Sequence, residues 1–216
     1  HTHSYHNPKA QYRNKMTVEE VLNDRPIAWP LTLAMCAPIS DGAAAAIVVS
    51  EEKARQLGLG RAIRVAASVL RSGTNRKPDE FDKQITHLAA NAAYEKAGLA
   101  PKDMDVAEVH DATAFAELLQ VEALGFCDFG EGGRLSAEGH TTIGGRIPVN
   151  PSGGLESRGH PIGATGLAQV YELVTQLRGE AGPRQVDGAR TAIAENGGGF
   201  MGYEEAAACI TILQKN

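Results

Sequence analysis

The chain has 216 residues, 43% of them hydrophobic, with 21 Lys and Arg against 26 Asp and Glu, giving a formal net charge of −5 and a pI near 5.8. That length holds one large domain or a domain and a half with ample core, and the basic residues form no run that would make a nucleic-acid or membrane footprint, so neither partner is implied. No stretch approaches the roughly 18 apolar residues of a membrane span and no secretory apolar segment is present, which makes the cytoplasm the default expectation.

Residues 1–30 are polar and read as an extended arm. His1, His3 and His6 have no acidic or cysteine companion to close a coordination shell, so no metal is expected there. Asp41-Gly42 reads as a turn into a buried strand over 43–49, and Ser50 as the cap of a helix running to Gly58. A strand over 63–70 follows, then a helix from about Glu80 with Ile85, Leu88, Ala89, Ala92 and Ala93 on one face, stopped by Gly98. A strand over 106–109 leads into a helix bearing Phe115, Leu118, Leu119 and Leu124, stopped at Gly125. Leu167, Val170, Tyr171, Val174 and Leu177 form the next helical stripe, and strands over 190–194 and 206–213 close the chain. Strands interleaved with helices predict an α/β fold. Cys36, Cys127 and Cys209 are odd in number and widely spaced, and read as reduced thiols rather than a disulfide framework. Cys36 and Cys209 lie in apolar runs and are expected to be buried; Cys127 lies in a loop.

The most informative stretch is Asn150-Pro-Ser-Gly-Gly-Leu-Glu-Ser-Arg-Gly-His-Pro-Ile-Gly-Ala-Thr-Gly166, which packs 5 glycines, 2 prolines and one histidine into 17 residues just before an amphipathic helix. Glycines let a backbone approach a ligand closely, and the helix start offers unpaired N–H groups to negative charge. His160 at that point is either a backbone-bonded turn residue or a working acid or base. An imidazole of ordinary pKa near 6.5 deprotonates a thiol of about 8.5 if the ion pair is stabilised. His110, between a strand and a helix, is either a packed tautomer or a hydrogen-bond donor facing the crevice at the strand ends. Gly197-Gly198-Gly199 reads as a tight bend after a strand. Glu195 reads as a solvated or hydrogen-bonded group, or as a base if burial raises its pKa.

The segment 150–166 resembles the signature of the thiolase superfamily, whose members make or break carbon–carbon bonds next to a coenzyme A thioester. The resemblance continues in Ala34-Met-Cys-Ala-Pro-Ile-Ser-Asp-Gly-Ala-Ala-Ala-Ala46, in Glu108-Val-His-Asp-Ala-Thr-Ala-Phe-Ala-Glu-Leu-Leu119 and in Glu195-Asn-Gly-Gly-Gly199, so it covers essentially the whole chain in the family's order. His110-Asp111 is similar to the sterol-carrier-protein-linked branch and its bacterial relatives. The resemblance implies a five-layer α-β-α-β-α fold in the intact protein. Here it places the end of the loop domain and the last strand and helix of the N-terminal domain in 1–60, and the C-terminal domain in 61–216. The chain begins at His1 without methionine and reads as a fragment whose nucleophilic cysteine stands upstream, so the piece alone is expected to be inactive.

By the same resemblance His160 deprotonates that cysteine, and His110 donates to an oxyanion, directly or with a water. Gly197, Gly198 and Gly199, with Asn196, form a second oxyanion and substrate-binding site, and Ser157 and Gly159 shape the approach of coenzyme A. Asn150 and Ser152 are expected to bond loop backbone, and Asp111 to orient its loop or cap the next helix. No resident cofactor or metal is implied. The coenzyme A thioester is substrate, the intact protein is a homo-oligomer, and a small zinc-ribbon/OB-fold protein is a candidate partner.

One departure stands out. The family's second acid/base cysteine is absent: its place falls on Glu195, or on Ala112 in the sterol-carrier-linked pattern, with Thr113 the nearest hydroxyl. Claisen chemistry needs a group to move the α-proton, leaving Glu195 or Tyr203 to serve. Three readings stay open: an acyltransferase of the acetyl-CoA acetyltransferase or 3-ketoacyl-CoA thiolase type, a retro-aldol lyase on a β-hydroxy acyl-CoA, and a non-catalytic subunit that binds coenzyme A thioesters.

Overall fold

The computed structural model describes residues 1–215. In chain order the elements are α1 (Val18–Leu22), β1 (Pro26–Ala28), β2 (Leu31–Thr32), α2 (Glu51–Gln56), β3 (Ile63–Ser72), α3 (Ile85–Ala97), β4 (Val106–Glu108), α4 (Ala114–Ala123), α5 (Gly132–Ala137), α6 (Thr165–Arg178), β5 (Thr191–Gly198) and β6 (Ala207–Lys215). β1 and β2 form a small antiparallel hairpin, and the main sheet has the order β3-β6-β5-β4. Its first three strands are antiparallel neighbours, while β4 runs parallel to β5 with Glu108 opposite Ala194. That single parallel pair brings the carboxyl ends of β4 and β5 out at the same edge.

Alternation along the strands feeds two cores, one on each face of the sheet. Ile193, Ile210 and Ile212 point to the α3 side, where they pack with Ala89, Ala93, Tyr94, Val109 and Val121. Ala192, Ala194 and Leu213 point to the α6 side and meet Leu173 and Leu177. The helices thus cover both faces of a mixed sheet, an α–β–α arrangement that fits the expected α/β class. Small residues on α3 let its axis come close to the sheet, and Gly98, in the left-handed region at φ 67°, ends it as anticipated. The helix begins later than the apolar pattern suggested, because Gln84 caps it by accepting from His87 N–H and 81–83 form a separate tight turn.

Four expectations need correction. The segment 43–49 pairs with no strand among the described residues, and Ile47 and Val48 are 94% and 80% exposed. Apolar composition is satisfied as a strand only when a neighbour completes its ladder. The stripe on α6 is also rotated from the apolar pattern: Leu167 and Tyr171 are exposed, while Gln169, Glu172 and Gln176 are buried. Those polar groups are matched, since Arg184 grips Glu172 in two-pronged fashion at 2.9 and 3.0 Å and Gln176 bonds Arg184 O and Val186 N. Phe115 on α4 likewise faces outward, the buried positions of that helix being Gln120, Val121 and Ala123. The cysteines are free and half-buried, so Cys36 and Cys209 are less enclosed than their apolar neighbours implied.

The loop that joins β5 to β6 is anchored through Glu204. The Glu204 carboxylate accepts from Thr74 N–H, Ile85 N–H and Arg76 Nε at 2.8, 3.0 and 2.9 Å. Burial alone would raise its pKa, but these donors outweigh burial and hold it below the ordinary carboxylate value. A group depressed in the folded state stabilises fully above its unfolded pKa, and that contribution is lost as pH falls through the folded value. Glu204→Gln leaves Arg76 enclosed without its counter-charge, and should cost about 3 kcal/mol in urea unfolding at neutral pH with an unchanged m-value. The deficit relative to wild type should shrink on acidification.

Candidate active site

The signature segment has little regular structure, yet it is fixed to the end of β4 by polar contacts. Asn150 takes a left-handed φ of 51°, and its side chain accepts from Val109 N–H at 2.8 Å while donating to Glu117 Oε2 at 2.8 Å. Ser152 donates twice to Glu108, from N–H at 3.0 Å and from the hydroxyl at 2.8 Å. Asp111 accepts from Leu155 N–H and Glu156 N–H at 2.7 and 3.3 Å. Between these anchors Gly153 and Gly154 adopt φ of 101° and 59°, and residues Gly154–Arg158 make a single π-helical turn. A Cβ on Gly154 would collide with the Asp111 carboxylate, so only glycine fits. Asn150 and Ser152 therefore bond the backbone and the strand end, and Asp111 orients the signature loop. Helix α4 is capped instead by Thr113, whose hydroxyl accepts from Ala116 N–H.

This attachment carries His160 to His110. Their rings meet edge to face with centroids 5.0 Å apart, and both residues are half-buried. A strip from the arm side joins the two loops: Ala37 N–H donates to Ala112 O at 3.0 Å, and Ile39 bridges to His160. Ser40 completes the seam, its hydroxyl accepting from His160 N–H at 3.1 Å and donating to Gln11. Burial, then the neighbouring His160, brings the His110 pKa down to about 4. Burial, followed by the Arg158 charge, lowers that of His160 as well. Both shifts favour the neutral imidazole at physiological pH.

Glu195 lies on β5 beside this pair. It is fully buried, its Oε2 accepts from His110 N–H at 2.8 Å, and its Oε1 has no partner among the described residues. Burial drives its pKa up to about 8, against the opposing hydrogen bond from His110 N–H. From the other side Gln169 of α6 donates to Glu195 O at 2.9 Å and accepts from Asn196 at 3.0 Å, clamping the end of β5 to the helix that begins after His160. The glycine run does not follow the strand as expected. Gly197 and Gly198 continue β5, opposite Ala208 and Ala207, and the bend comes at Gly199 with φ 72°. Gly197 is buried against Glu205, whereas Gly198 and Gly199 are exposed.

His160, His110, Glu195 and Asn196 are thus brought to one edge of the sheet, with the glycine run adjoining. Gly159 lies in the same loop with φ 115°, packed on Ser40. Ser157 points elsewhere: it is fully buried and its hydroxyl bonds the His1 ring at 2.9 Å. His1 also bonds Ala34 O, and His3 bonds Asn150 O, so the arm is docked rather than loose. Tyr203 is 68% exposed. Sequence reasoning gave no role to Ser40, Thr165 or Gln169; the only local hint for Gln169 was a polar residue inside an apolar helical stripe.

The model of the thiolase C-terminal domain-like family matches residues 66–215. This chain belongs to the thiolase family. It is 49% identical over 207 residues to an acetyl-CoA acetyltransferase of Methanothermobacter thermautotrophicus, covering 94% of this chain and 53% of that protein. It is 45% identical over 226 residues to sterol carrier protein 2 of Oryctolagus cuniculus, covering 96% and 41%. Among solved structures the Ltp2-ChsH2(DUF35) aldolase superposes with a TM-score of 0.80 at 28% identity, over 97% of this chain and 55% of that one. The chain therefore spans about half the length of the relatives it matches. No helix of the described residues is long and apolar enough to cross a membrane.

A carboxyl whose folded pKa is raised stays protonated in the folded state after its unfolded counterpart has ionised, so stability falls as pH rises from the unfolded value towards about 8. Glu195→Gln keeps the shape and removes this titration. The unfolding free energy of wild type should decline across that window by at most about 1.4 kcal/mol per pH unit from this group. The variant should show a shallower slope by urea denaturation at several pH values, and an unchanged slope would mean that Glu195 ionises normally in the fold.

Proposed function

We propose that this chain carries the acid/base half of a thiolase-like acyl-CoA acyltransferase, which makes or cleaves a carbon–carbon bond next to a coenzyme A thioester. The observation that carries the reading is the edge-to-face contact of His160 and His110 at 5.0 Å, one neutral imidazole free to take a proton beside another free to donate one. In thiolysis the His160 ring accepts the proton of a cysteine thiol supplied from outside these 216 residues. The thiolate adds to the β-keto carbonyl, and a donor near His110 stabilises the oxyanion by an effect worth roughly 3 to 4 kcal/mol elsewhere. Collapse breaks the carbon–carbon bond and the departing enolate takes the proton that His160 had accepted. His160 then takes the proton of the coenzyme A thiol, the acyl group passes from the cysteine sulfur to coenzyme A, and the released cysteine thiolate takes that proton back. The exposed Gly198 and Gly199 adjoin this edge and suit backbone contacts to the second thioester, with Asn196 beside them. Gly159 suits the approach of coenzyme A, whereas the enclosed Ser157 suits support of the loop.

Glu195 fits less well as the base that touches substrate. It is fully buried and already occupied by the His110 main chain, which supports a role in fixing that loop. The missing thiol at 112 and 195, together with the likeness to an aldolase, favours a second reading. In it a β-hydroxy acyl-CoA is cleaved by deprotonating its hydroxyl, and no acyl–cysteine forms. The ChsH2(DUF35) component of that aldolase is the precedent for a partner subunit here.

The test is to assay the intact protein, alone and with any co-expressed partner, on acetoacetyl-CoA plus coenzyme A and on a β-hydroxy acyl-CoA. Thiolysis that falls at least about 100-fold in His160→Ala supports the first reading, and thiolysis unchanged by that substitution overturns it. Aldehyde or ketone release without thiolysis selects the second. Activity retained in Glu195→Gln removes Glu195 as the base, while a loss as deep as that of His160→Ala restores it.

A further inference from the structure

We propose that Thr165 is a positioning residue that holds His160 in the tautomer with its proton on Nδ1, leaving the Nε2 lone pair for the reaction. The proposal rests on the reading of His160 as a base. It adds which nitrogen does the work and what makes it available.

The geometry is local and closed. Thr165 is the first residue of α6, 1% exposed, and its hydroxyl oxygen lies 2.7 Å from His160 Nδ1. The same hydroxyl reaches Pro161 O at 3.2 Å, the four-residue back-bond that threonine makes in a helical turn. A hydroxyl has one proton to give and lone pairs to receive. With that proton turned to Pro161 O, the oxygen can only accept from His160, which places the ring proton on Nδ1. The nitrogen that remains unprotonated is then Nε2, on the far side of the ring. The tautomer of a histidine is set by the partner of its other nitrogen, and here that partner is a neutral hydroxyl rather than a carboxylate.

The arrangement also survives proton transfer. When Nε2 takes a proton, the imidazolium still donates from Nδ1 to the same oxygen, so no group has to move. The backbone that carries the ring is itself held: His160 N–H donates to Ser40 Oγ, and Ile39 bridges the residue from the other strand of the seam. With the backbone held at two points and Nδ1 engaged by Thr165, Nε2 is the ring nitrogen left without a partner among the described residues. Helix α6 is in turn fixed to the end of β5 by Gln169, so the hydroxyl cannot drift from the histidine.

Nitrogen NMR of the intact protein labelled on histidine reads the tautomer directly, with His160→Gln identifying the resonances. In the resting wild type near pH 8, His160 should show a protonated Nδ1 and an unprotonated Nε2. Thr165→Val, which keeps the shape and removes the hydroxyl, should mix or invert the tautomers and lower kcat about five- to tenfold with KM little changed. Thr165→Ser should restore both. A protonated Nε2 in wild type, or a Thr165→Val protein whose tautomer and kcat match wild type, overturns the proposal. Should Thr165→Val fail to fold, the wild-type spectrum and the serine variant still decide it. The functional reading fails separately: if the tautomer follows position 165 while neither substrate class is turned over, the lock stands and the assigned reaction does not.

Discussion

The attachment of the signature loop to the end of β4 is the constraint on which the rest of the site depends. Asn150 with Val109, Ser152 with Glu108, and Asp111 with Leu155 and Glu156 convert an irregular, glycine-rich segment into a fixed cradle. A loop of this composition has large conformational freedom to lose, and buried polar groups are costly unless satisfied. Matching the loop N–H groups to side chains from the strand end meets both demands at once. Burial raises the pKa of Glu108 to about 7 and that of Asp111 above the usual range, so the acids hold the loop at some cost to their own ionisation. Those contacts, with the strip over 37–40 that joins the two loops, set the spacing of the two histidine rings.

The parallel pairing of β4 and β5 then decides what the histidines meet. Because Glu108 lies opposite Ala194, the next residue of β5 is Glu195, and its carboxyl falls beneath the backbone of His110. A polar residue on α6, Gln169, closes the same corner from the opposite core. The corner is therefore built from three separate stretches of chain, each contributing one hydrogen-bonding group to the next.

Much of this was readable in the residues, for identifiable reasons. The start of α2 and the end of α3 follow from Ser50 and Gly98, where local capping chemistry decides the outcome. β3, β4, β5 and β6 follow from short apolar runs bounded by turn residues. The strand reading of 43–49 failed because apolar character says that a segment wants cover and not whether cover is present. The face of α6 was misjudged because Glu172, Gln176 and Arg184 satisfy one another in the interior, which hydropathy alone counts as exposed. The convergence of His110, His160 and Glu195 came from the family likeness; periodicity could not give it. Ser40 and Thr165 stayed unassigned because a hydroxyl's role is fixed by what lies within 3 Å, a tertiary fact.

The bare stretch at 43–49 has its own consequence. Ile47 and Val48 are 94% and 80% exposed, and residues 43–49 join no ladder among the described residues. An apolar stretch of this kind would bury its side chains and fill its hydrogen bonds together if a second segment of β character paired with it.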